Sequence, residues 1–204
     1  MGAINVIHYV LGGDYQDRDG KWVRHFSGTY DGVERRVTTR LGCLWNNILQ
    51  RTRRGSAFQL NKPTYGNVIN CFESFSAFCD FCISCPGFGR FDENGNPYAL
   101  DKDIIGDGTS YSKDTCCFVP LSVNNLLLEK GGKKNSNLPV GITRRGSKYR
   151  VRDGSGNEQY VFNTIEEAIT KKSLLKRERV AKAFEKVYYD KRIVNALEKI
   201  YSEI

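Results

Sequence analysis

Histidine is nearly missing from this chain: 204 residues contain only two, His8 and His25. An enzyme built on a histidine base or on a His-rich metal site has little to draw on here. Long apolar runs are missing as well. No stretch approaches the roughly 18 residues that would span a bilayer. The first residues, Met1-Gly2-Ala3-Ile4-Asn5, lack the basic start and apolar run of a secretion signal. Cysteine is present but sparse for a disulfide scaffold, with seven residues and therefore an odd number. Reduced thiols in a cytoplasm are the expectation, with a metal site as the alternative.

What is present is positive charge, unevenly placed. The whole chain carries 31 Lys+Arg against 23 Asp+Glu, a net +8. From Lys130 to Arg192 the counts are 17 against 7, a surplus of +10, so the remainder holds 14 against 16. A near-neutral first part (1–129), an exposed linker (130–137) rich in Gly, Lys, Asn and Ser, and a basic last part (138–204) follow from this split.

Local patterns predict an α+β chain. Asp31-Gly32 predicts a hairpin turn, flanked by strands near Trp22-Val23-Arg24 and Arg35–Thr38. Leu41, Leu44, Trp45, Ile48 and Leu49 recur at helical spacing, and a second helix is expected from Val68 to about Cys82, where Phe72, Phe75, Phe78 and Phe81 form a core stripe. A strand over Tyr98–Asp103, a Gly-containing loop, a strand over Cys116–Val119 and a helix entered at Pro120 make a short ββα unit. In the basic part, strands are expected at Val140-Gly141-Ile142, Lys148–Arg152 and Gln159–Phe162, with turns at Arg145-Gly146-Ser147 and Asp153–Asn157. Thr164 with Glu167 forms a capping box for a long helix that Asp190 interrupts, before a fresh apolar stripe of Ile193, Leu197, Ile200, Tyr201 and Ile204.

The chemistry concentrates at Leu100-Asp101-Lys102-Asp103-Ile104, Tyr111-Ser112-Lys113-Asp114-Thr115-Cys116-Cys117-Phe118-Val119-Pro120 and Asn124-Asn125-Leu126-Leu127. An acid ending one strand and an amide on the following helix can converge on a hard cation; by spacing alone, though, such an Asp is more often a turn residue. These runs resemble the degenerate HNH (ββα-metal) motif of phage-encoded homing-endonuclease-like proteins. Leu44–Arg51 and the Phe72–Phe81 region are similar to what precedes that motif there. The resemblance implies a metal-dependent DNA endonuclease acting in the cytoplasm of a bacterial host. It implies Asp101 and Asn124 as ligands of Mg²⁺ or Mn²⁺, and Thr115 where the middle Asn of the motif orients the base. Lys102 stands where the family has its histidine base, since His8 and His25 lie more than 75 residues upstream. Asp103, read as sharing a strand face with Asp101, is a second candidate ligand or base.

Cys79, Cys82 and Cys85 are spaced like half a structural zinc site that Cys116-Cys117 could complete; buried free thiols are the other reading. The basic part has a resemblance of its own. Leu138–Ile142, Lys148–Arg152 and Phe162–Ala168 are similar to the Apetala-two DNA-binding domain of plant ethylene-response factors. That implies a three-stranded antiparallel sheet on a helix, with double-stranded DNA as partner. Strand alternation sets Lys148, Arg150 and Arg152 on one face, with Arg144 and Arg145 bordering it. Lys171, Lys172, Lys176, Arg177 and Arg179 read either as phosphate contacts or as a solvated helix face. A catalytically inactive DNA-binding regulator on the same scaffold is the alternative function.

Overall fold

The computed structural model describes residues 16–17, 19–30, 32–126, 138–152 and 159–204. The expected linker and the turn at Asp153–Asn157 lie outside the described residues, as do His8 and Asp31. The chain divides into two compact units, Met1–Leu121 and Ser122–Ile204, a boundary that falls before the expected linker. Both units mix helices with small sheets, so the α+β class holds.

The first unit opens with an antiparallel hairpin, β1 (His25–Tyr30) and β2 (Val33–Thr38). The first strand starts later than its sequence suggested; Trp22 instead bridges Gln16, and its indole donates to Asp80 Oδ1 at 2.7 Å. Thr39 then caps helix α1 (Arg40–Thr52), its hydroxyl accepting from the Gly42 amide. A short helix α2 (Ala57–Asn61) and a 3₁₀ turn (Pro63–Tyr65) follow, neither of them expected. The second expected helix begins late. Residues Ile69–Asn70 form a two-residue strand β3, and Ser74 caps α3 (Phe75–Ser84), so Phe72 precedes the helix. Its ring still meets Phe78 and Phe81 at 5.2 Å, which keeps the aromatic stripe in the core.

Strand β4 (Ala99–Asp101) pairs antiparallel with β6 (Cys117–Val119), Asp101 opposite Cys117, and the chain runs on into the short helix α4 (Leu121–Asn124). The strand–loop–strand–helix order is therefore present. Within its loop lies β5 (Ser110–Tyr111), which pairs in parallel with β3, a pairing that no local pattern announced. One buried cluster unites α1, α3 and the ββα strands: Leu41, Trp45, Ile48, Phe75, Phe78, Tyr111 and Phe118 pack with Cys79, Cys82, Cys85 and Cys116.

The second unit carries a meander of β7 (Ile142–Arg145), β8 (Lys148–Arg152) and β9 (Gln159–Phe162), in that order. The first of these runs three residues further than expected, and the turn contracts to Gly146-Ser147. Thr164 and Glu167 cap α5 (Ile165–Val187) reciprocally, as their spacing implied. Its Ala168 and Leu175 bury against Ile142 and Val151, with Tyr149, Tyr160 and Phe162 around them. Asp190 breaks the helical run by capping α6 (Lys191–Ser202), where Ile193 and Leu197 are buried. Among the described residues no helix is long and apolar enough to cross a membrane.

Candidate functional site

Most of the residues singled out by sequence gather in two places. The first surrounds the end of β4. Asp101 is 4% exposed, and its Oδ1 accepts from the amides of Asp103 and Ile104, both at 2.8 Å. A carboxylate that captures the next backbone amides turns the chain. The strand therefore stops at Asp101, two residues before its expected end. The alternation that would have set Asp103 on the face of Asp101 does not extend that far. Oδ2 of Asp101 takes no hydrogen bond among the described residues. Burial pushes its pKa up from the ordinary 3.8, against the pull of the Ile104 and Asp103 amides.

Lys102 is 5% exposed. Its ammonium donates to Asp103 Oδ1 at 2.6 Å and to the Gly108 carbonyl at 2.7 Å, and lies 5.3 Å and 5.8 Å from the ring centres of Tyr65 and Tyr111. Both bonds use the nitrogen as a donor, whereas a base needs its lone pair. The geometry thus gives Lys102 the work of a cation rather than of a proton acceptor. The loop closes tightly around it. Gly108 has φ +79°, and a Cβ there would stand 2.7 Å from Asp103 Oδ1; one on Gly106 would stand 2.6 Å from the Lys102 carbonyl. Only glycine admits this wrap.

Thr115 is bound into the same loop. Its hydroxyl donates to the Ser110 carbonyl at 2.8 Å and accepts from the Ser112 amide at 3.0 Å. It braces the turn before β6, and no described bond joins it to Lys102. Three side chains of this site have no role assigned from sequence, although Arg51 and Tyr111 stand within the runs named there. Arg51, at the end of α1, donates to the Tyr111 hydroxyl at 3.0 Å and lies over Tyr65 at 5.6 Å. Burial pushes Tyr111 up to about 12 despite that bond. The pairing of Tyr111 with Arg51 depends on tertiary packing that no local pattern announces. His25 is elsewhere engaged, its Nδ1 3.0 Å from Thr38 Oγ1 in the hairpin.

For a divalent cation the fit rests on Asp101: a buried carboxylate whose second oxygen is unclaimed is a hard ligand of the kind magnesium takes. Asn124, half-buried on α4, belongs to the second unit. All seven cysteines are free thiols. Among the described residues no group of three or more His, Cys, Asp or Glu is arranged to hold a metal. Burial pushes the Cys79 and Cys116 thiols up to about 12, and Cys82 further still.

The second surface is the uncovered side of the three-stranded sheet. Pairing sets Arg145 beside Lys148, Thr143 beside Arg150 beside Val161, and Arg152 beside Gln159. All of these lie opposite the helix-packed residues Ile142, Tyr149, Val151, Tyr160 and Phe162. Four cations and no acid occupy this face among the described residues. Arg150 is braced, donating through Nε to Thr143 Oγ1 at 3.3 Å and through Nη1 to Gln159 Oε1 at 3.2 Å. Its pKa is lowered by desolvation and by Arg145 and Arg152.

Arg144 departs from its expected position. It shares the register row of Tyr149, lies 5.9 Å from that ring, and donates to the Gly146 carbonyl. It therefore belongs to the opposite side of the sheet. Three of the helix cations are also in use within the fold: Lys171 over Tyr160 at 4.0 Å, Arg177 over Tyr201 at 5.7 Å, and Arg179 bonded to the Leu175 carbonyl. No family model, curated protein or solved structure matches this chain.

Proposed function

We propose that this chain is a metal-dependent DNA endonuclease of HNH type that engages duplex DNA through the open face of its three-stranded sheet. The observation that carries the reading is that face, with Arg145, Lys148, Arg150 and Arg152 in adjoining register rows and no acid among them. Such a surface suits a polyanion with regularly spaced charges. The nuclease half is supported by the order β4–β6–α4 with Asp101 at the end of its first strand.

Asp101 would hold Mg²⁺ or Mn²⁺; Asn124, the other expected ligand, lies in the second unit. A bound divalent ion supplies charge stabilisation at the leaving oxygen of the phosphodiester. Asp101 contributes its unclaimed Oδ2. Lys102, committed as a donor, fixes Asp103, whose side chain is 45% exposed. Asp103 is then the carboxylate available to take a proton from an attacking water. Thr115, Gly106 and Gly108 keep the loop closed around that pair.

One observation favours the rival reading, a DNA-binding regulator without activity: the position of the usual base is held by an ion-paired lysine. Supercoiled plasmid separates the two. The endonuclease reading expects nicked or linear product with Mg²⁺ or Mn²⁺ and none with chelator. Duplex binding should weaken with salt at a log–log slope of about −3, as for three or so phosphate contacts. Salt-sensitive binding without cleavage under either ion leaves the regulator; loss of binding removes both readings.

A further inference from the structure

The near-neutral balance of the first part hides a basic stretch. From Arg35 to Phe72 the sequence holds seven Lys+Arg and no acid in 38 residues. The stretch includes α1, α2 and the 3₁₀ turn, and through Arg51 and Tyr65 it reaches Tyr111 and Lys102 of the candidate site. Three of its cations frame α2: Arg53 and Arg54 on the turn before it and Lys62 just after it, all exposed. Among the described residues no bond ties their side chains to the fold. Between them stands Leu60, 74% exposed. Lone exposed leucines are common on protein surfaces; this one is held firmly from beneath. Ser56 caps α2 at the Gln59 amide and donates its hydroxyl to the Gln50 carbonyl at 2.7 Å. The buried Gln59 side chain donates to the carbonyls of Arg51 and Tyr65, at 2.9 Å and 3.0 Å. Phe58 meets Tyr65 edge-on at 5.1 Å and lies beneath Arg51. A short helix pinned in this way presents its apolar tip with little order left to impose on binding.

Resting on the DNA reading above, we infer that Leu60 is a wedge that enters between adjacent base pairs and kinks the duplex, with Arg53, Arg54 and Lys62 on the flanking phosphates. A base stack is apolar inside and charged outside, so an apolar tip framed by cations complements both. The cost of unstacking one step is offset by the leucine surface removed from water and by the phosphates that a kinked duplex brings to the cations. Because Arg51 and Tyr65 back α2 and also reach Tyr111 and Lys102, the kinked step lies next to the Asp101–Asp103 loop. These phosphate contacts add to those of the sheet face, so the salt slope of the chain is steeper than that face alone gives.

The test uses the full chain, with chelator so that no strand is cut. Short duplexes carry 2-aminopurine in place of adenine, a base whose fluorescence rises when it unstacks. Saturating protein is expected to brighten the duplex. Leu60→Ala, with its fold checked by circular dichroism, keeps the parent's salt slope and loses the brightening at saturation, whereas Leu60→Met retains it. Arg54→Gln lowers the salt slope by about one and still brightens the duplex once saturated. Lys148→Gln, on the sheet face, does the same, which separates the wedge from that face. Binding without brightening, or brightening that survives in Leu60→Ala, overturns the inference and leaves the DNA reading standing. If no duplex binds, the DNA reading falls and the inference with it.

Discussion

Asp101→Asn is expected to lower divalent-dependent nicking at least about a hundred-fold while melting at or above the parent's temperature at pH 7. The two effects come from separate parts of one side chain. Oδ1 turns the chain by accepting from the Asp103 and Ile104 amides. Asn keeps a carbonyl oxygen for those bonds, so the turn survives. What disappears is the negative charge with which Oδ2 would meet a cation, a contribution worth several kcal/mol at a metal-assisted step. The stability sign follows from the raised pKa. A carboxyl whose folded pKa exceeds its unfolded one adds stability fully below the unfolded value, near 3.8, and loses it as pH rises through the folded value. At neutral pH the buried charge is therefore a burden that Asn removes, and the melting gap should close below about pH 4. Plasmid nicking and thermal melts across pH 3 to 8 measure both. Parent-like cleavage by this variant would exclude Asp101 as a ligand, and a large drop in melting temperature at pH 7 would mean the turn needs the carboxylate itself.

Phe78→Ala is expected to destabilise the first unit by about 3–5 kcal/mol. Its side chain has no solvent exposure and its ring meets Trp45 at 5.4 Å and Phe72 at 5.2 Å. Truncation leaves a hole bounded by rings and by the thiols of the same cluster, groups too stiff to collapse into it. Urea denaturation read by tryptophan fluorescence reports this unit, because both tryptophans, Trp22 and Trp45, lie in it. Leu60→Ala, at a residue 74% exposed, should change the same midpoint by no more than about 0.5 kcal/mol. Equal effects at the two positions would mean that Phe78 is not a core residue in solution.

These two residues also mark how far the sequence could be read. Phe78 was legible because burial on a helix leaves a period, and a stripe of phenylalanines at every third position survives the late start of α3. The alternation of β8 was legible for the same reason, which is why Lys148, Arg150 and Arg152 fall together. Arg144 was misjudged because β7 extends further than its apolar residues do, and one residue of register moves a side chain to the other face. Asp101 ended its strand through a bond to the backbone, which carries no period at all. The aromatic partners of Lys102 came from the 3₁₀ turn and β5, the latter placed by a two-residue parallel pairing some forty positions apart. Pairings of that kind are decided by tertiary packing, not by propensity.

The distribution of thiols has a practical consequence. Every cysteine precedes Ser122, so the second unit is invisible to thiol reagents and the first carries all seven targets. Cys43 and Cys71 are exposed, and the other five are buried. Reagents attack thiolate, so burial that holds Cys79 and Cys116 near 12 slows alkylation well beyond simple occlusion. Pulse alkylation followed by intact-mass counting should give a native population with two labels and an opened one with seven. The ratio, followed against urea, yields the opening free energy of the first unit within the uncut chain. A native count above two would show that the core breathes on the timescale of the pulse.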